Sequence, residues 1–360
     1  MRKEELNERL NVEDLEGTVE LAIPEGLTKD LKKEIRSIEN VGKQEIRFLV
    51  DSFYQVQHRR IMLQSQINSI RRSTDDTINS YAVILDWQLK AQMVQEKGIK
   101  DALEIICRNN EVGRWLLRIK GIGPTLAAGL LAYFDVTGIE YATHFMSYAG
   151  LNDNNRPWLG AEKAKKIVNE VLGHSKEITD EHLEELSIRT KWKYGYLNKS
   201  CTKIDKKGNV KRSKQDLINA IAKIPYNKNL KILMYKVAQQ FVKISYNPDS
   251  LYGRLYKERK ILEMQLNEQG HYADQAKKIL ETKNIGKDTD AYKAYSQGKL
   301  PKAHIQRRAE RWATKIFVSH LFEEMYRVAN DKAPESYYIL VYGEEGSHRD
   351  YIEPEIPFTK

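Results

Sequence analysis

Apolar residues recur every three or four positions along most of the chain, which is the spacing of an α-helix with one buried face. The longest such runs lie at 43–72 and 77–109, and Ser73-Thr74-Asp75-Asp76 between them has the residues of a corner that caps a helix. Prolines are few, nine in 360 residues, and Leu, Ile, Lys, Glu and Gln are abundant in the long segments. The pattern predicts an all-α, elongated multi-helix protein with little sheet.

Changes in composition along the chain predict six segments. These are an N-terminal arm (1–40), a long helical or coiled-coil region (41–110), a helix-hairpin-helix core (111–158), a basic insertion (159–225), a C-terminal helical part (226–330) and a tail (331–360). The apolar stripe at 43–72 either packs within the chain or forms a homodimer, and packing within the chain is favoured. The tail has a strand-like run at 337–342 and an acidic, proline-containing end, which we expect to be mobile or bound to a partner.

Residues 112–134 predict two helices joined by a tight glycine bend. Gly121 and Gly123 bracket Ile122, and Pro124 stands at the first position of the second helix, where a residue without an N–H is tolerated. The second helix contains the small residues Ala128, Gly129 and Ala132, which let another helix approach closely. This is the helix-hairpin-helix arrangement.

A hairpin of this kind offers unpaired main-chain N–H groups and the positive end of a helix dipole to a phosphate. It is therefore expected to bind a sugar-phosphate strand without reading bases. The predicted contacts are the residues of the bend and the cations beside it: Arg114, Arg118, Lys120, Gly121, Ile122, Gly123 and Thr125. The alternative is a tight turn between two core helices that binds nothing.

The basic insertion is a second candidate contact. Between Arg189 and Lys214 there are ten Lys or Arg and one acidic residue, and aromatic residues are interleaved with the cations. Such a mixture suits a strand whose phosphates lie on cations and whose bases lie on rings. The alternation of Trp192, Tyr194 and Tyr196 with other residues admits a short β-ribbon around 206–209. The candidate contacts are Lys191, Trp192, Lys193, Tyr194, Lys206, Lys207, Lys211 and Arg212. The alternative is a solvated loop whose aromatic side chains pack inward.

A third basic group lies on an amphipathic helix predicted over 302–329. It consists of Arg307, Arg308 and Arg311, near the N-terminal half of that helix. Arginines so placed are either solvated surface or flank the path of DNA.

Composition narrows the partners. The 59 Lys and Arg exceed the 50 Asp and Glu by nine, and the pI is about 9.1, which favours polyanions or anionic surfaces as partners. The expected partner is DNA, although charge alone does not distinguish it from RNA. Cys107 and Cys201 are far apart, and no Cys/His cluster, H-x-x-x-H pair or Walker loop occurs, so no disulfide, metal or cofactor is predicted. No apolar run approaches the roughly 18 residues of a membrane span. We expect a cytoplasmic, nucleoid-associated protein with no membrane contact.

Four motifs in order carry a resemblance to a known family. They are I-K-G-I-G-P-T-L-A-A-G-L-L-A (119–132), H-F-M-S-Y-A-G-L (144–151), L-K-I-L-M-Y-K-V-A (230–238) and G-K-L-P-K-A (298–303). Their order resembles the C-terminal, helix-hairpin-helix domain of the DEDD insertion-sequence transposases guided by a bridge RNA. The resemblance implies a role in DNA recombination within a mobile element or phage.

Two departures from that family bear on activity. The resemblance implies an N-terminal RNase H-like domain with four acidic metal ligands, but the roughly 40 residues before the first long helix are too few for its five-stranded sheet. It also implies a serine nucleophile just before the L-K helix, where this chain has Asn227. An amide cannot attack a phosphodiester and leave again, so we predict no catalytic residue.

The leading hypothesis is therefore a non-catalytic DNA-binding protein that contacts the backbone through the hairpin and the basic insertion. One alternative is a recombinase or nuclease that acts through unrecognised carboxylates or with a partner. Another is a structural or assembly protein in which the hairpin is only a corner.

Overall fold

The computed structural model describes residues 29–37, 41–72, 76–152, 157–175, 177–204, 210–334 and 352–359. Lys206, Lys207, most of the predicted arm and the strand-like run at 337–342 lie outside the described residues. The chain divides into two compact units, which follow one another at Asn109 and Asn110. Helices dominate both units, so the prediction of an all-α fold is confirmed. Within the described ranges, no helix combines the length and the apolar character needed to cross a bilayer.

The first unit is built on a pair of long helices. Its helices are α1 (Lys29–Ser37), α2 (Lys43–Ile70) and α3 (Asp76–Asn109). Leu63 and Ile67 of α2 pack with Leu89 of α3. Beside them, the Arg60 guanidinium lies 2.5 Å from the Glu96 carboxylate, measured from Nε to Oε2. The apolar stripe thus has a partner helix within the chain, and a homodimer through the same stripe stays a prediction.

The second unit contains the remaining elements. Its helices are α4 (Glu111–Arg118), α5 (Pro124–Tyr133), α6 (Ala142–Tyr148), α7 (Gly160–Leu172), α8 (Asp180–Thr190), α9 (Tyr194–Cys201), α10 (Lys214–Ala222), α11 (Lys228–Lys243), α12 (Leu251–Glu268), α13 (Ala273–Thr282), α14 (Asp290–Ser296) and α15 (Lys302–Asn330). Its strands are β1 (Thr202–Ile204) and β2 (Val210–Arg212), which pair antiparallel with Lys203 opposite Lys211.

Helices α11, α12 and α15 meet around an aromatic cluster. Phe241, Tyr252 and Phe317 are buried, and their ring centroids lie 5.0 to 5.5 Å apart. Helix α5 lies so close to α11 that a Cβ on Gly129 would stand 2.8 Å from Cδ2 of Leu233. The predicted close approach of a helix to the small residues of α5 is therefore confirmed.

The predicted insertion has a hydrophobic core of its own. Helices α7 to α10 contribute Val168, Leu183, Leu186, Leu197 and Leu217, all buried. The predicted β-ribbon is present as β1 and β2, on either side of residues 205–209. The aromatic alternation that suggested it lies elsewhere, in the turn before α9 and in that helix.

Candidate nucleic-acid interface

The bend between α4 and α5 is the centre of the candidate site. Asn110 caps the start of α4, because its side chain accepts a hydrogen bond from the N–H of Gly113 at 2.9 Å. The helix ends at Arg118, and the N–H of Ile122 then closes a turn on the carbonyl of Ile119 at 3.1 Å. Helix α5 begins with Pro124, as predicted. The local sequence thus specifies where each helix stops.

Packing holds the bend in one conformation. The side chain of Ile122 is 4% exposed and anchors the turn in the core. Gly121 has a φ of +84°. A Cβ there would lie 3.3 Å from Cβ of Gln240, in α11, and 2.8 Å from Cδ1 of Ile244, the residue after α11. Glycine is therefore required at this position for two reasons, its backbone conformation and the space available.

Gly123 differs from Gly121 in every respect that matters for a ligand. It is exposed, its φ of −89° suits any residue, and a Cβ built on it would meet nothing within 4 Å. It is also the N-cap of α5 and lacks a capping side chain. The space in front of this helix start is therefore open to a ligand.

The first turn of α5 has main-chain donors to offer. The first helical hydrogen bond runs from the N–H of Ala127 to the carbonyl of Gly123, at 2.9 Å. Among the described residues, none accepts a hydrogen bond from the N–H of Gly123, Thr125 or Leu126. Such groups at a helix start can bind an anion together with the helix dipole.

Three predicted cations lie beside the bend. Arg114, Arg118 and Lys120 are all exposed. Arg114 also lies 3.7 Å from the carboxylate of Glu111 one turn away, a contact that solvent weakens. Since the side chain of Ile122 is buried, that residue could meet a ligand only through its backbone. Thr125, also a predicted contact, is only 8% exposed, so the exposed members of the predicted set are the three cations and Gly123.

An anion of this chain already occupies one donor of the bend. Oε1 of Glu355 accepts a hydrogen bond from the N–H of Lys120 at 2.6 Å, and Oε2 accepts one from the N–H of Leu251, at the start of α12, at 2.9 Å. Burial raises the pKa of the Glu355 carboxyl, although both N–H groups and the charges of Lys120 and Arg254 act to lower it. Nothing in the sequence distinguishes Glu355 as a site residue, because several carboxylates lie in the tail.

The segment that carries Glu355 is docked on the second unit. The indole N–H of Trp115 donates to the carbonyl of Ile356 at 3.0 Å, and its ring stacks on that of Phe358 with centroids 6.1 Å apart. At the far end, both the N–H and the hydroxyl of Thr359 donate to the buried carboxylate of Glu324. The expectation of a mobile or partner-bound tail is therefore wrong for 352–359, whose partner is the chain itself.

A second corner brings two of the resembling motifs together. The backbone N–H of Asn227 donates to the carbonyl of Tyr148 at 2.8 Å, and its side-chain amide donates to the Tyr148 hydroxyl at 2.8 Å. Its Oδ1 accepts from the N–H of Leu230 at 3.0 Å, so Asn227 caps α11. Gly150, with a φ of +68°, packs against Tyr226 and Lys231. The S-Y-A-G-L corner therefore abuts the helix start at which the family's serine is expected.

One comparison with known proteins gave a match. Residues 113–156 match the transposase IS116/IS110/IS902 family model. The matched segment begins in α4 and runs through the bend, α5 and the corner at Gly150. No curated protein and no solved structure matched the chain. The match supports likeness to transposases, while the bridge-RNA subgroup and the assignment to a C-terminal domain stay predictions.

The aromatic part of the insertion is placed differently from the prediction. Trp192 is 6% exposed, packs in the core of α7 to α10 and stacks on Tyr196 with centroids 4.5 Å apart. An indole enclosed in this way cannot stack on a base, which corrects the prediction for Trp192. The Tyr194 hydroxyl donates to Asp180 at 2.8 Å. Here the alternative of inward-packed aromatics describes the molecule better.

The insertion's cations differ in exposure. Lys191, Lys193 and Lys211 are exposed, whereas Lys206 and Lys207 lie outside the described residues. Arg212 donates to the carbonyl of Ile178 and to the side chains of Asp180 and Asn198, at 2.5 to 3.1 Å. Its guanidinium therefore ties β2 to α8 and α9.

Two of the three arginines on α15 are committed to carboxylates. Arg308 donates to the buried Glu263 at 2.6 Å, and Arg307 donates to the buried Glu310 at 2.6 Å. Arg311 is exposed at the next turn. Because Arg307 and Arg308 neutralise buried acids, they are weaker candidates for phosphate contact than the residues of the bend. Among the described residues, no three His, Cys, Asp or Glu side chains gather as a metal site.

Proposed function

We propose that this chain binds the sugar-phosphate backbone of nucleic acid, DNA in the first place, at the bend of residues 119–126. The observation that carries the proposal is the start of α5. There the N–H groups of Gly123, Thr125 and Leu126 find no acceptor among the described residues, and the space over Gly123 is open. A phosphate oxygen is the ligand that such donors suit.

The surroundings of the bend support an anionic partner. Arg118 and Lys120 are exposed beside it, and the chain as a whole carries a formal charge of +9. The family match covers the same bend and favours DNA of a mobile element as the setting. Main-chain donors do not distinguish bases, so the binding is expected to be strongly salt-dependent and weakly sequence-dependent.

We also propose that the chain binds nucleic acid without cleaving it. Asn227, at the position aligned with the family's serine, caps α11 with its side-chain oxygen and donates to Tyr148 with its nitrogen. Both ends of the amide serve the fold, and neither is a nucleophile. This is the reason for proposing a non-catalytic role.

The test is a binding series with labelled single-stranded, duplex, forked and four-way DNA at two salt concentrations. Wild-type protein is compared with Gly123→Ala, which narrows the approach to the amides, and with Gly286→Ala as the matched control. Gly286 is likewise exposed, and a Cβ there meets only the Thr289 methyl at 3.5 Å. Gly123→Ala should weaken DNA binding about three- to tenfold, while Gly286→Ala leaves it unchanged. Equal affinities for all three proteins would remove the bend from the proposal.

A second candidate function is strand cleavage or transfer together with a partner that supplies a nuclease site. The match to a transposase family favours it. A nicking assay with Mg²⁺ or Mn²⁺ on the same DNA substrates separates the two candidates. Metal-dependent nicking that persists through purification would favour the second.

A further inference from the structure

The docked segment 352–359 contacts the candidate site at its donor groups. Its Glu355 carboxylate lies on the N–H of Lys120, which belongs to the bend. Two further main-chain contacts fix the segment on either side. The ring N–H of His320 donates to the carbonyl of Ile352 at 2.8 Å, and that of Trp115 donates to the carbonyl of Ile356 at 3.0 Å.

The Glu355 carboxylate resembles a phosphate in its charge and in the hydrogen-bond donors that it requires. It is an anion whose two oxygens each accept a main-chain N–H, from Lys120 at 2.6 Å and from Leu251 at 2.9 Å. Two oxygens of one phosphate could accept from such donors in the same way. A phosphate and this carboxylate therefore cannot both use the N–H of Lys120.

We propose that segment 352–359 is an intramolecular competitor of nucleic acid, in which Glu355 occupies a phosphate donor of the bend and is displaced when a strand binds. The inference rests on the proposed function, because it names the occupant of the same site. It gives the C-terminal segment a regulatory role: the bend of the free protein is partly filled, and weak or short ligands do not displace the segment.

Displacement of the segment involves one gain and one cost. Burial costs the carboxylate part of its hydration, which is why the pKa of Glu355 is raised although two N–H groups bind it. Release returns this charge to water, and a phosphate then takes over the bend. The segment contacts other than Glu355 lie on α4 and α15, outside the bend itself. Their loss is the cost that a nucleic acid has to exceed.

The first experiment compares two neutralised carboxylates in the full chain. Glu355→Gln keeps the shape of the side chain but replaces one acceptor oxygen by an NH₂ group that cannot accept an N–H. Glu353→Gln is the matched control. Glu353 is exposed and lies two residues before Glu355, and its substitution removes the same charge. Affinity for duplex DNA is measured by fluorescence anisotropy at two salt concentrations.

Glu355→Gln should bind DNA about tenfold more tightly than Glu353→Gln. Equal affinities of the two variants, or weaker binding by Glu355→Gln, would overturn the inference. The same binding series tests the proposed function separately. If wild type binds and Gly123→Ala weakens binding while the two Glu variants agree, only the competitor fails. If no variant binds DNA, both proposals fail.

A second measurement needs no substitution. Hydrogen exchange of residues 352–359 is followed in wild-type protein with and without saturating duplex DNA. The N–H of Thr359, which donates to Glu324 at 3.0 Å, is the reporter. Faster exchange of this segment on DNA binding supports displacement. Unchanged or slower exchange means that DNA binds beside a docked segment, and the inference is then wrong.

Discussion

The most discriminating perturbation of the bend is a charge placed at Gly123. Position 123 is the N-cap of α5, it is exposed, and a Cβ there meets nothing within 4 Å. Asp and Asn are both good N-cap residues, each better than Gly by a few tenths of a kcal/mol, so Gly123→Asp and Gly123→Asn should both fold. The two side chains have nearly the same shape and differ in charge.

The expected difference can be estimated from Coulomb's law. A carboxylate that caps α5 would sit over the N–H groups proposed to bind a phosphate, at roughly 5 Å from the phosphate charge. At that distance two like charges repel by about 1 kcal/mol in bulk water and about 3 kcal/mol near a protein surface. Gly123→Asp should therefore bind DNA about 5-fold to 150-fold more weakly than Gly123→Asn.

The assay is fluorescence anisotropy with one labelled duplex, titrated at low and at physiological salt. Because salt screens the repulsion over about 8 Å at 0.15 M, the ratio between the two variants should shrink as salt is raised. Urea unfolding checks that both variants are at least as stable as wild type. Equal affinities of two folded variants at low salt would refute the idea that a phosphate binds at the start of α5.

Three further predictions concern stability and the insertion. Gly121→Ala should lower the free energy of unfolding by about 1–3 kcal/mol, because φ is +84° and the new methyl would lie 2.8 Å from Ile244, and urea titration measures this loss. Trp192→Phe should lower the melting temperature without changing DNA affinity, since the ring is 6% exposed; a loss of affinity in the folded variant would contradict its placement. Burial lowers the pKa of His320, so its contribution to stability is complete above about pH 6.5 and is lost as pH falls below that value toward the folded pKa. His320→Gln should flatten this slope in urea titrations from about pH 7.5 to about pH 5.

Local features of the bend could be predicted because they depend on neighbouring residues. Pro124 at the start of a helix and the glycines around Ile122 act within one turn, so the sequence determines both ends of the bend. Gly129 is a second example, because its lack of a side chain predicts that another helix packs closely against α5.

Contacts between distant residues could not be predicted in this way. Trp192 stands among cations, a pattern typical of a base-stacking residue, but its burial also depends on α7 and α10, which do not adjoin it in sequence. Arg308 reads as a surface charge until Glu263, 45 residues earlier, is seen beneath it. Glu355 and Lys120 are 235 residues apart. No spacing rule relates such pairs, since only the folded chain brings them together.

The cap of α11 has a consequence for which residues position 227 tolerates. Asn227 begins the helix by accepting the N–H of Leu230, and serine is about equally good at that task. A serine here would still cap the helix but would lose the 2.8 Å hydrogen bond that the amide nitrogen of Asn227 donates to the Tyr148 hydroxyl. The start of α11 and its link to the corner at Gly150 therefore depend on different atoms of one side chain, and exchange for serine would separate the two.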